Sequence, residues 1–118
     1  MIGININDRD YPFTEWILSG IKTIETRRTS SLHPYVGKQV GIIRTGKGKA
    51  TLVGFATIGT PIYYQNEKEF RKDENKHCVC AGSKYDIDDS GKWGYPIINP
   101  VIIEQRYVNS KGIVARQI

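Results

Sequence analysis

The stretch Gly20-Ile21-Lys22-Thr23-Ile24-Glu25-Thr26-Arg27-Arg28 decides how this chain is read. Just before it, Phe13, Trp16 and Ile17 fall at i, i+3 and i+4, the spacing of one apolar helix face. Pro12 suits the first helical position, where no N–H is needed. Gly20 suits the left-handed residue that ends a helix. A short helix from Pro12 to Ser19 is predicted. Beyond it, Thr23, Ile24 and Thr26 favour an extended chain from Lys22 to Arg28. Side chains then alternate, with Thr23, Glu25 and Arg27 on one face and Ile24, Thr26 and Arg28 on the other. Lys22 sits at the helix-to-strand junction, where a turn can aim its ammonium at the Glu25 carboxylate. Two readings stay open. One is a surface Lys–Glu–Arg salt-bridge set that contributes little energy. The other is a cleft in which Lys22 and Arg27 hold an anion, while Glu25 exchanges a proton or orients the lysine.

Working outward, Ile2, Ile4 and Ile6 alternate with Gly3 and Asn5, which reads as a first strand with one buried face. Ser30 to Pro34 reads as a loop. Val36 to Arg44 and Ala50 to Thr60 read as strands joined by a Gly-containing hairpin, Thr45-Gly46-Lys47-Gly48-Lys49. Asn66 to His77 leads with acids and trails with bases, which suits the helix dipole and predicts an exposed helix. Ser83 to Lys92 is a polar loop. Trp93 to Glu104 reads as one or two strands, which Pro96 and Pro100 confine to an edge or break. Tyr107-Val108 and Ile113-Val114-Ala115, around Asn109-Ser110-Lys111-Gly112, read as a final hairpin. Many short strands and two or three short helices within residues 1–118 predict a single α+β domain or a partly open barrel.

Net charge is +5, and its distribution says more than its size. Between residues 22 and 49 stand seven basic residues, Lys22, Arg27, Arg28, Lys38, Arg44, Lys47 and Lys49, against the single acid Glu25. That stretch carries +6 and the remainder −1. A concentrated basic region suggests an anionic partner, with nucleic acid first among candidates, although a solvated positive face has the same composition. No apolar run approaches the length of a membrane span, so no membrane association is expected. Cys78 and Cys80 are separated only by Val79, a spacing that strains a disulfide. Free thiols, with a start too short and polar for a signal-peptide core, point to the cytoplasm.

Several motifs fail on inspection. Gly41 to Lys47 satisfies G-x-x-x-x-G-K, but Gly48 follows where a phosphate loop needs Ser or Thr. Asp86-Ile87-Asp88-Asp89-Ser90-Gly91 begins like a calcium loop, but its twelfth position is Ile97 instead of a bidentate Glu. His77, Cys78 and Cys80 are zinc-ligand types, yet a structural site needs four ligands, and the other histidine is His33. A buried or half-buried thiol pair is the expectation, with no metal and no cofactor.

The central stretch resembles the signature of the ASCH family, G-x-K-x-x-E-x-R after a short helix, with Gly20, Lys22, Glu25 and Arg27 in its positions. Trp16-Ile17-Leu18-Ser19-Gly20 looks like the helix before it. Gly37-Lys38-Gln39-Val40 with Thr45-Gly46, and then Val53-Gly54-Phe55-Ala56, look like the family's next strands. Trp93-Gly94-Tyr95 with Ile97 resembles its late aromatic strand. The resemblance implies a PUA-like barrel of five or six mostly antiparallel strands, with the first helix closing one side. It also implies a basic cleft beside the signature strand and an RNA-related role. Two activities are associated with small members, amide hydrolysis on acylated cytidine and RNA cleavage. In the amidohydrolase-like members a threonine follows the lysine by three positions, and a glutamate comes later. Here Glu25 takes the threonine's place, Thr23 and Thr26 are out of register, and Glu74 is the candidate for the later glutamate.

Two functions follow. As a binding module for RNA, a nucleotide or a nucleoside, the chain would contact phosphates with Lys22, Arg27, Arg28, Arg44, Thr45, Lys47 and Lys49. Tyr85, Trp93 or Tyr95 would stack on an unpaired base. As a hydrolase on a modified nucleoside or an RNA bond, it would use Lys22 and Glu25 as an acid–base pair with water as nucleophile. Binding is favoured, because the residue set suits an anion cleft and the enzyme-like pattern is incomplete. A protein-binding role for Asn66 to His77 has no specific support.

Overall fold

The Ile-, Val- and Thr-rich runs become seven strands in the computed structural model, which describes residues 1–118. They are β1 (Ile2–Asn7), β2 (Ile24–Arg27), β3 (Gln39–Thr45), β4 (Thr51–Ile58), β5 (Ile62–Tyr64), β6 (Lys92–Tyr107) and β7 (Ala115–Gln117). The helices are α1 (Phe13–Leu18), α2 (Glu67–Lys72) and α3 (Glu74–His77), and a 3₁₀ turn spans His33–Tyr35. The strands run in the order β2–β6–β4–β3–β1–β7, with β5 against β6. Only β1 and β3 pair in parallel. This is the expected α+β, partly open barrel, with seven strands in place of five or six.

One core fills the curl of the sheet. Ile4, Ile6, Val40, Ile42, Val53, Ala56, Ile58, Tyr95 and Ile97 meet Phe13 and Ile17 of α1 there. Apolar burial of this kind is the main stabilising term. Helix α1 begins where the Asp8 carboxylate accepts the N–H and hydroxyl of Thr14. Pro12 therefore precedes the helix as its cap instead of opening it. Gly20 follows the helix at φ +83, the left-handed conformation that its sequence position implies. Gly54 of β4 lies so close to Leu18 and to the Val101 carbonyl that a Cβ would collide with both. A second, smaller core joins Tyr64, Phe70 and Val79.

Several expectations need correction. β1 is buried on both faces, because Ile43 and Ile118 cover Gly3 and the 112–113 segment covers Asn5 on the face expected to meet solvent. β6 is interior only in its first part, between β2 and β5, and from Ile97 on it has β4 alone as a neighbour, so Pro100 does stand at an edge. Pro100 is accommodated at an irregularity between the Val101 and Ile98 pairings, beside Asn99 at φ 51. A bulge there removes the need for the missing N–H. The final hairpin does not form. Tyr107 ends β6, and Ala115–Gln117 pairs with β1 instead. The predicted exposed helix divides at Asp73 into α2 and α3 and is anchored by buried Phe70 and His77. The thiols are free, with Cys78 half-buried and Cys80 exposed. No helix is long and apolar enough to cross a membrane.

Candidate functional site

Lys22 is the least expected side chain in the fold, a lysine only 1% exposed. Its backbone explains the placement. The Lys22 N–H donates to Trp16 O at 2.9 Å, and Thr23 N–H donates to Lys76 O at 2.8 Å. The last carbonyls of a helix lack partners within it, and the ends of α1 and α3 each offer one to this junction. The Lys22 ammonium donates to the His77 carbonyl, stands 4.7 Å from the Phe13 ring centroid, and lies 3.7 Å from Glu25 Oε1. Burial pulls its pKa down, and the nearby Glu25 charge pushes it back up. The turn at the helix-to-strand junction does aim this ammonium at Glu25.

Glu25 and Arg27 lie two apart on β2, opposite Tyr95 and Trp93 of β6. Arg27 Nε and Nη2 approach Glu25 Oε2 at 3.1 and 3.0 Å, and Nη2 also donates to Asn5 O at 2.7 Å. Asn5 is a junction. Its Nδ2 donates to Gly112 O and Ile113 O, each at 2.9 Å, and its Oδ1 accepts from Arg116 Nε at 3.1 Å. Arg116 Nη1 donates to Ser110 O at 3.0 Å. One asparagine thus ties β1, β2, β7 and the 109–114 segment into one wall.

These groups open on a cleft of about 380 Å³, lined among others by Phe13, Lys22, Glu25, Arg27, Tyr85 and Arg116. Ligand pockets commonly span about 300 to 1,000 Å³. Three cations against one carboxylate leave +2 around it when Lys22 is protonated. Tyr85 packs its edge against Phe13 at 5.4 Å between ring centroids and donates its hydroxyl to Asp10 Oδ2 at 2.8 Å. Burial, with that hydrogen bond second, raises its pKa. Behind the cleft, Lys92 is 3% exposed and donates to the Tyr85 carbonyl and, at 3.2 Å, to Thr26 Oγ1. Burial lowers its pKa to about 8. Lys92 therefore fastens the 80s loop to β2.

The structure brings Lys22, Glu25, Arg27, Thr45 and Tyr85 to this cleft. It sends the other candidates elsewhere. Arg28 turns out to Asp88 at 2.8 Å with its side chain 59% exposed. Arg44 and Lys47 line a separate shallow groove with Asp8 and Glu15. Lys49 lies over the Tyr107 ring at 5.2 Å. Trp93 is half-buried between His33 and Tyr63. Tyr95 is fully buried with its hydroxyl 2.6 Å from His33 Nδ1, so it offers no stacking face. Glu74 pairs with Arg71 with its side chain 49% exposed and does not line the cleft. His77 has both ring nitrogens engaged, by Phe70 O at 2.8 Å and Val79 N at 3.0 Å. Asn5, Lys92 and Arg116 were missed. Only the pair of asparagines at Asn5 and Asn7, repeating on one strand face, carries a signal for them.

No protein-family model and no curated protein sequence matches the chain. Solved structures do match. The crystal structure of ASCH from Zymomonas mobilis superposes with a TM-score of 0.75 at 18% identity, covering 92% of this chain and 73% of that one. Two single-residue variants of that protein give TM-scores of 0.74 and 0.73 at 18% and 19% identity, covering 92% and 90% of this chain and 76% and 72% of theirs. The chain has the ASCH fold. Within it, the Lys22–Glu25–Arg27 cleft lies between the helix-to-strand junction and the wall formed by β1 and β7.

Proposed function

We propose that this chain is an ASCH-family protein that binds RNA or a nucleotide in the cleft around Lys22, Glu25 and Arg27. The observation that carries the reading is the convergence of Lys22, Arg27 and Arg116 on one pocket whose apolar side is Phe13 and Tyr85. Cations recognise phosphate, and aromatic side chains stack on unpaired bases. The Glu25 carboxylate keeps Lys22 and Arg27 in place without a ligand. The test is a thermal-shift and anisotropy screen with nucleosides, nucleotides and short single-stranded RNAs at low and moderate salt. Wild type should be stabilised, and Lys22→Met should lose most of the effect. Equal response of both proteins would overturn the reading.

A second reading has one specific observation behind it. A buried amine with a lowered pKa, 3.7 Å from a carboxylate, suits proton transfer. On that reading Lys22 and Glu25 activate water against a modified nucleoside, such as acylated cytidine, or an RNA phosphodiester. Lys22→Met would then abolish turnover while the folded circular-dichroism spectrum persists. Full turnover in that variant would rule the mechanism out.

A further inference from the structure

We infer that Arg27 and Arg116, joined through Asn5, form a seat for one terminal phosphate monoester, so that the ligand enters this cleft phosphate-end first. The inference rests on the nucleotide-binding reading and narrows it.

An arginine carries five N–H donors in a planar fork. Arg27 commits Nε and Nη2 to Glu25 and to Asn5 O. Arg116 commits Nε to Asn5 Oδ1 and Nη1 to Ser110 O. Nη1 of Arg27 and Nη2 of Arg116 have no protein acceptor, and neither is shut away from solvent. Both guanidiniums line the cleft. Asn5 uses its carbonyl for one and its side-chain oxygen for the other. Two half-committed forks are therefore held on a single residue before any ligand arrives, which lowers the ordering cost of binding.

Charge selects the kind of phosphate. Arg116 has no carboxylate partner, whereas Arg27 and Lys22 share Glu25. With Lys22 protonated, three cations less one carboxylate leave +2 at the cleft. A phosphate monoester carries roughly −1.5 to −2 at neutral pH and three acceptor oxygens. An internal phosphodiester carries a single charge and two free oxygens. The two free nitrogens can serve either kind of phosphate, and the charge is what favours the monoester. The 109–114 segment also closes one side of the cleft and is pinned there by Asn5, an arrangement that suits a chain end better than a chain passing through.

The test is calorimetric titration of wild type and Arg116→Ala with matched probes. These are a nucleoside, its 5′- and 3′-monophosphates, and one short RNA with and without a terminal phosphate. The terminal phosphate should tighten wild-type binding by roughly ten- to a hundredfold, the range of charge-assisted hydrogen bonds. Arg116→Ala should shrink that difference below about threefold, and Arg116→Lys should restore part of it. A tighter phosphorylated RNA than mononucleotide identifies an RNA end as the source. Equal affinities identify a free nucleotide. If RNA binds equally with and without the terminal phosphate, this inference fails and the binding reading stands. If no nucleic-acid probe binds, both fall.

Discussion

Lys22 to Arg27 and Arg44 to Lys49 are neighbouring basic stretches, yet the fold treats them in opposite ways. In the first, Lys22 is buried, Glu25 sits between two cations, and Arg27 is held by Asn5. In the second, Arg44 stands half-buried near the end of β3 beside Gln105, Lys47 and Lys49 ride a solvated hairpin, and none makes a salt bridge with a carboxylate. Charges that are fixed and half-desolvated can discriminate among ligands. Solvated charges attract polyanions generally, and salt screens them. The contrast teaches that the density of basic residues along a chain locates an electrostatic field, not a site.

The largest effect should come from Glu25→Ala. It leaves Lys22 buried with the His77 carbonyl and the Phe13 ring but no counter-charge, and breaking a buried pair costs about 3–5 kcal/mol. Urea unfolding measures it. A loss under about 1 kcal/mol would show that the cleft charges are as weakly coupled as surface ones.

Next comes pH. In the folded chain Lys92 loses its proton near pH 8, whereas the unfolded chain keeps it to 10.5. Below pH 8 both states are protonated, and the buried charge lowers stability. Between pH 8 and 10.5 the unfolded state binds more protons, so stability rises with pH, by up to about 3 kcal/mol from this group. Lys92→Met should remove that rise when unfolding curves of the two proteins are compared across the window. An unchanged slope would deny Lys92 its desolvated setting.

Asn5→Ala should cost about 1–3 kcal/mol, since it strands the Gly112 and Ile113 carbonyls and Arg116. Amide exchange at residues 109–114 should quicken before that of β3 and β4, and uniform quickening would show that Asn5 serves the core instead. The smallest effect belongs to the hairpin. Lys47→Ala with Lys49→Ala should change stability by less than about 0.5 kcal/mol and lower the salt slope of RNA binding by less than about one in total.

Much of the fold was legible because local rules agreed with it. Phe13, Trp16, Ile17 and Gly20 mark α1 through periodicity and a left-handed stop. Gly46 and Gly48 mark the β3–β4 connection. The site was half legible. Lys22, Glu25 and Arg27 are close in sequence, so a turn and a strand suffice to bring them together. Arg116, Asn5 and Lys92 meet them only through β7 pairing with β1 and β6 with β2, which no local pattern encodes. The misread elements share that cause. The expected hairpin strand Ile113 to Ala115 does not form, because β1 offers Ala115–Gln117 a longer-range partner. Pro96 and Pro100 do not break β6 because pairing on one side and a bulge absorb them.

The most direct test of the contrast is a nuclear magnetic resonance titration with a short single-stranded RNA or mononucleotide at moderate salt. The account predicts that amide and side-chain shifts concentrate at Asn5, Thr26, Arg27, Gly112, Ile113 and Arg116, with little change at Lys47 to Lys49. Shifts confined to the hairpin, with the cleft silent, would contradict it.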